Sequence, residues 1–135
     1  MSHANLPLSS RRPCDHRSDR ENEIAELVDR FYALARRDHL LGPVFERHVS
    51  DWSAHLATMR DFWSAAVYRT ARYSGRPIEA HRRIPEIEPE HFTRWLSLWR
   101  RTVDEVVRSE AGRPLKELAA RMALTMSSRT DHPTN

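Results

Sequence analysis

The sequence predicts an all-α domain, and three observations carry that reading. Every sustained apolar run repeats with helical period. No stretch alternates apolar and polar residues as a half-buried strand does. Gly75, Gly112, Pro77, Pro85, Pro89 and Pro114 stand at the edges of those runs, where helices begin and end.

The first run, Ile24, Leu27, Val28, Phe31, Tyr32 and Ala35, falls at i, i+3, i+4, i+7, i+8 and i+11, with Ser18 and Glu21 at capping-box spacing ahead of it. Asp38 can cap a second, shorter helix through Leu41-Gly42-Pro43-Val44-Phe45, ending near His48. Ser50 caps a third run with a broad aromatic stripe: Trp52, His55, Leu56, Met59, Phe62, Trp63, Ala66 and Val67. A polar loop, Arg72-Tyr73-Ser74-Gly75-Arg76, precedes Pro77, which opens a brief helix. Pro85 disfavours helical backbone at Ile84 and ends it. Pro89 opens the next helix, with Phe92, Trp95, Leu96, Trp99, Val103, Val106 and Val107 on one face, and Gly112 is expected to close it. Pro114 then opens the last helix, with Leu115, Leu118, Ala119, Met122, Ala123 and Met126 inward. The expected organisation is a loosely ordered leader over 1–18, one domain over 19–129 and a tail over 130–135.

Composition narrows the function classes. The chain has 135 residues, 39% of them apolar, and a mean hydropathy of -0.72. That is lean for a self-sufficient core, and an apolar prosthetic group would complete it. The formal charge is +3, and +2 of it lies in residues 1–20. The remainder is nearly neutral, which argues against nucleic acid as a partner. Cys14 is the single cysteine, so an intrachain disulfide, a thiolate cluster and C-x-x-C-H haem attachment are all excluded. No run approaches the ~18 apolar residues of a membrane span, and a cytoplasmic location is the expectation.

No H-E-x-x-H, glycine-rich phosphate loop or G-x-S-x-G is present. What stands out is a set of separated polar residues on inward stripes: Tyr32, His55, His81 and Trp95. His55 and His81 belong to different helices and can face each other across a plate-like ligand. One neutral imidazole is what haem iron needs on one side, with the opposite position left open. Phenol, indole and imidazole donors suit a bound diatomic gas, whose outer atom carries partial negative charge. Each residue also has a plain reading. His81 alone, beside Arg82 and Arg83, reads as a surface histidine, and Tyr32 as a helix-face tyrosine. Trp95 with Trp99 forms an ordinary packing stripe.

Their order and spacing together resemble the truncated haemoglobins, specifically group III (P-type), over about residues 22–128. The resemblance rests on Ile24-Ala25-Glu26-Leu27-Val28-Asp29-Arg30-Phe31-Tyr32, Leu41-Gly42-Pro43-Val44-Phe45, His55 with Phe62-Trp63, Tyr73-Ser74-Gly75-Arg76-Pro77, the stretch from His81 to Trp99, and Thr102-Val103-Asp104-Glu105. It implies a shortened globin, a two-over-two helical sandwich around non-covalent haem b. His81 is then the proximal iron ligand. Tyr32, His55 and Trp95 face the bound gas. Phe45, Met59, Phe62, Arg76, Ile84 and Met122 contact the haem, and Arg72, Arg76, Arg82 and Arg83 are candidates for its propionates. The Gly-Gly pairs of the other truncated groups are missing, consistent with the third. The leader is longer than such globins need, and Glu88-Pro89 stands where a threonine-type cap is more usual.

The function so implied is reversible binding of O2 and other diatomic ligands at a five-coordinate iron. The alternative is nitric oxide dioxygenation or peroxidase-type chemistry in the same pocket, served by a reductase that the sequence does not identify. A more distant alternative is a haem-free helical module with arginine faces for an acidic partner. A monomer or weak dimer is expected. Trp52, Trp63 and Trp99 read as core, and His3, His16, His39, His48, His91 and His132 as surface or tail.

Overall fold

The computed structural model describes residues 13–69 and 86–130, which form five helices and no strand: α1 (Pro13–Ala35), α2 (Gly42–His48), α3 (Trp52–Tyr68), α4 (Pro89–Val106) and α5 (Gly112–Thr130). The four long helices pack in a ring, α1 against α3 and α4, and α5 against α4 and α3. The result is two helix pairs laid across one another, with the short α2 closing one corner.

The apolar stripes meet where periodicity placed them. Ile24, Leu27, Val28, Phe31 and Ala35 of α1 are essentially fully buried, as are Trp99 and Val103 of α4 and Leu115 and Ala119 of α5. The centre is aromatic. Trp99 stacks on Trp63 at 4.5 Å and on Trp95 at 5.9 Å, and Phe31 stands edge-on to Trp99 at 5.1 Å. Three buried polar groups of this core are matched, as a low-dielectric interior favours. The Trp99 indole donates to the Leu115 carbonyl (3.2 Å), the Thr102 hydroxyl to the Leu98 carbonyl (2.7 Å) and the Ser64 hydroxyl to Glu21 (2.8 Å). Truncating a large aromatic at such a position costs about 3–5 kcal/mol.

Several helix ends differ from the sequence expectation. α1 starts at Pro13, so Ser18 lies within it; proline suits a first helical turn, and Glu21 is engaged across the interface by Ser64 instead. α3 is capped by Asp51, not Ser50: the Asp51 carboxylate accepts from the Ala54 amide at 3.1 Å, where a negative charge also suits the helix dipole. Asp38 caps the turn ahead of α2 through the Leu40 and Leu41 amides, and Leu41 takes the N-cap position. α4 ends at Val106, where Val107 turns extended, so Gly112 opens α5 instead of closing α4. Arg69 closes α3 in the left-handed region (φ 59°, ψ 34°), a conformation that costs an L-residue about 1–2 kcal/mol.

The α1–α2 corner is tight. A Cβ on Gly42 would stand 2.5 Å from the Arg36 carbonyl oxygen, so only glycine lets the chain pass there. The brief helix expected at Pro77–Ile84 lies outside the described residues.

Candidate functional site

Between the helix pairs lies an apolar cavity of about 360 Å³. α1 contributes Tyr32, which points inward because it follows Phe31 on the same buried stripe. α2 contributes Val44 and Phe45. From α3 come His55, Met59 and Phe62, one turn apart along one face. α4 supplies His91, Phe92, Trp95 and Trp99, and α5 supplies Met122 and Met126. Among its described lining residues there is no aspartate, glutamate, lysine or arginine.

At one end of the cavity Tyr32, Phe45 and His55 form the wall, and Trp52 packs against them. Tyr32 lies 5.1 Å from His55, 5.3 Å from Phe45 and 5.8 Å from Trp52, and Trp52 lies 5.5 Å from His55. The Tyr32 and His55 rings stand nearly perpendicular, at 88°. On the outside the Arg36 guanidinium covers the Trp52 ring at 4.1 Å and pairs with Glu46 at 3.0 Å. Tyr32 is only 6% exposed. Burial alone pushes its hydroxyl well above the ordinary phenol value of 10.0, so it keeps its proton and remains a donor at neutral pH.

The rim is polar. His48 Nε2 lies 2.7 Å from Glu86, which also receives Arg47 at 2.9 Å; the bond from His48, with that from Arg47, holds the Glu86 carboxyl below the ordinary glutamate range. His91 Nδ1 accepts from the Glu88 amide at 2.9 Å, which fixes a tautomer whose proton sits on Nε2.

Seven of the residues singled out in the sequence thus share one cavity: Tyr32, Phe45, His55, Met59, Phe62, Trp95 and Met122. His81, Arg76 and Ile84 lie outside the described residues, as do Arg72, Arg82 and Arg83. His48 is exposed, as read from the sequence, and stands at the cavity rim, whereas His91, also read as surface, is half-buried and lines the cavity. Their place at the cavity was legible: His91 is four residues before Trp95 on one helix face, and His48 three after Phe45. Trp63 and Trp99, read as core, also form its wall.

A curated group 3 truncated haemoglobin, ctb, of Campylobacter jejuni subsp. jejuni serotype O:2 is 30% identical over 94 residues, covering 67% of this chain and 74% of the relative. The chain belongs to the group III truncated haemoglobins. The crystal structure of a group III truncated haemoglobin from Campylobacter jejuni superposes with a TM-score of 0.77 at 27% identity, covering 85% of this chain and 94% of that one. No protein-family model matches the chain. As a truncated haemoglobin it is a globin-type haem protein with an all-α globin fold.

The cavity suits such a group. Its walls are apolar and aromatic, the two methionines of α5 adapt readily to a flat face, and Tyr32 and His55 stand together at one end. Among the described residues no cluster of three histidine, cysteine or acidic side chains could hold a bare metal ion. No helix among them is long and apolar enough to cross a membrane.

Proposed function

We propose that this globin binds O2 reversibly at non-covalently held haem b, with His81 as the protein's iron ligand and Tyr32, His55 and Trp95 facing the bound gas. One observation carries the reading. Three different helices bring a phenol, an imidazole and an indole to the wall of a single apolar cavity.

Haem supplies, when bound, an iron atom with one open position for a diatomic ligand. The chain's own residues do the rest. Phe45, Met59, Phe62 and Met122 line the space and exclude water. The Tyr32 hydroxyl, protonated at neutral pH, offers a hydrogen bond to an acceptor carrying partial negative charge. Trp95 offers a second from its indole N–H, and His55 a third. Several donors in one dry pocket slow the escape of a polarised ligand. The same three donors also suit polarising an O–O bond, and this favours nitric oxide dioxygenation with an external reductant as a second reading.

The test is direct. The ferrous, haem-loaded protein is cycled between O2 and argon while its visible spectrum is followed, and the oxygenated form is then mixed with nitric oxide. Repeated recovery of the ferrous spectrum supports reversible binding. Stoichiometric nitrate with sustained turnover on added reductant supports the second reading. A colourless protein that takes up no haem refutes both.

A further inference from the structure

We propose that Asp38 and Arg94 form a positioning pair that fixes α4 against the α1–α2 corner and so sets how closely Trp95 approaches a ligand held in the cavity. The inference rests on the haem reading above.

The Asp38 side chain is 3% exposed, and it gathers donors from two distant parts of the chain. One carboxylate oxygen accepts from the Leu40 and Leu41 amides at 3.1 and 3.0 Å. The other accepts from Arg94 Nε at 2.7 Å and also meets its Nη2. Burial pushes this carboxyl up, but Arg94 and the two amides outweigh that and hold it below the ordinary aspartate value, so it is charged.

Each end of the pair adjoins the cavity. Leu41 lines it, and Asp38 follows the end of α1, the helix that carries Tyr32. Arg94 immediately precedes Trp95. Between α1 and α4 themselves, the ion pair Arg30 with Glu105 is 3.4 Å long and lies in solvent, where it contributes little. Phe31 meets Trp95 and Trp99 edge-on, a contact that tolerates sliding. The Asp38–Arg94 bonds are directional and do not.

Stability alone is a poor account of such a pair. With the Arg94 side chain 42% exposed, the charge attraction adds little to stability, but its bonds to a buried carboxylate fix one register and penalise others. Register is what a distal donor needs, because a hydrogen bond weakens steeply with distance and angle.

The experiment uses the ferrous, haem-loaded protein with Arg94→Ala, Arg94→Lys, Asp38→Asn, Trp95→Phe and Arg94→Ala/Trp95→Phe. Three quantities are measured: the O2 dissociation rate, the infrared stretch of bound carbon monoxide, and thermal melting. Arg94→Ala is expected to speed O2 release roughly 2- to 30-fold, the range for residues that act through a neighbour. The carbon monoxide band moves to higher frequency as the donor withdraws. Arg94→Lys, whose ammonium still reaches Asp38, restores most of both. In the Trp95→Phe background Arg94→Ala adds almost nothing. If Arg94→Ala fails to fold, Asp38→Asn carries the same test, since its amide oxygen can still accept from Leu40 and Leu41. A lowered melting temperature with release rate and carbon monoxide band unchanged overturns the inference and leaves the pair structural. Trp95→Phe indistinguishable from the parent overturns the role of Trp95 in the haem reading itself, before any Arg94 variant is considered.

Discussion

Replacing Tyr32 by phenylalanine separates a ligand donor from a structural tyrosine, because the two roles predict different outcomes. The ring keeps its neighbours, Phe31 at 4.9 Å, Phe45 at 5.3 Å, Trp52 at 5.8 Å and His55 at 5.1 Å, so packing is unchanged. Only the hydroxyl goes. Burial keeps the hydroxyl protonated, so it stays a donor at neutral pH. The side chain borders the cavity, and Tyr32→Phe should leave the ferrous, ligand-free form about as stable as the parent. The ligated form should lose a hydrogen bond to a partially charged acceptor, worth about 1.5–3 kcal/mol, so O2 should leave faster by about one to two powers of ten. Stopped-flow replacement of O2 by carbon monoxide gives the rate, and melting followed by circular dichroism gives the stability. A variant that melts lower yet releases O2 at the parental rate would show that the hydroxyl serves the fold.

Three further outcomes follow from the same geometry. Gly42→Ala drives a Cβ to 2.5 Å from the Arg36 carbonyl oxygen, a backbone clash that repacking relieves only by moving α2; the cost is about 1–3 kcal/mol, read as a lower melting temperature. His81→Gly should abolish the five-coordinate ferrous haem spectrum while far-ultraviolet circular dichroism keeps its helical shape, and added imidazole should restore the spectrum; a variant that keeps the parental spectrum refutes the ligand assignment. Asp38 titrates below its ordinary 3.8 in the folded state, so its stabilisation is complete above that value and is lost as pH falls through the lower folded one. The stability gap between parent and Asp38→Asn should be constant from neutral pH to about 4 and shrink below it; a gap that is independent of pH down to acid unfolding would contradict a charged buried carboxylate.

Much of the fold was legible in periodicity. Six residues of α1 repeat at helical spacing, and five of them are essentially buried, with Tyr32 at the edge of the cavity. Helix ends were harder to read. Ser50 and Asp51 are adjacent candidate caps, and the choice fell to the carboxylate that reaches the Ala54 amide. Gly112 looked like a terminator because glycine often ends helices, yet Val107 had already left the helix. Site residues were legible where they share a stripe, as His55, Met59 and Phe62 do. Asp38 and Arg94 gave no such signal: a carboxylate in a turn and an arginine on a helix look like solvated charges until the fold joins them across 56 residues.

The sequence by itself determined which faces are apolar, and therefore that four long helices must bury them against one another. It also determined the order of the aromatic and imidazole side chains along those faces. Only the tertiary structure decided that Tyr32, His55 and Trp95 share one cavity, that His91 lines it with His48 at its rim, and that the buried Asp38 carboxylate meets Arg94 beside it. Periodicity is a local property of the chain. Convergence depends on how the helices cross, and that is settled by packing between residues far apart in sequence.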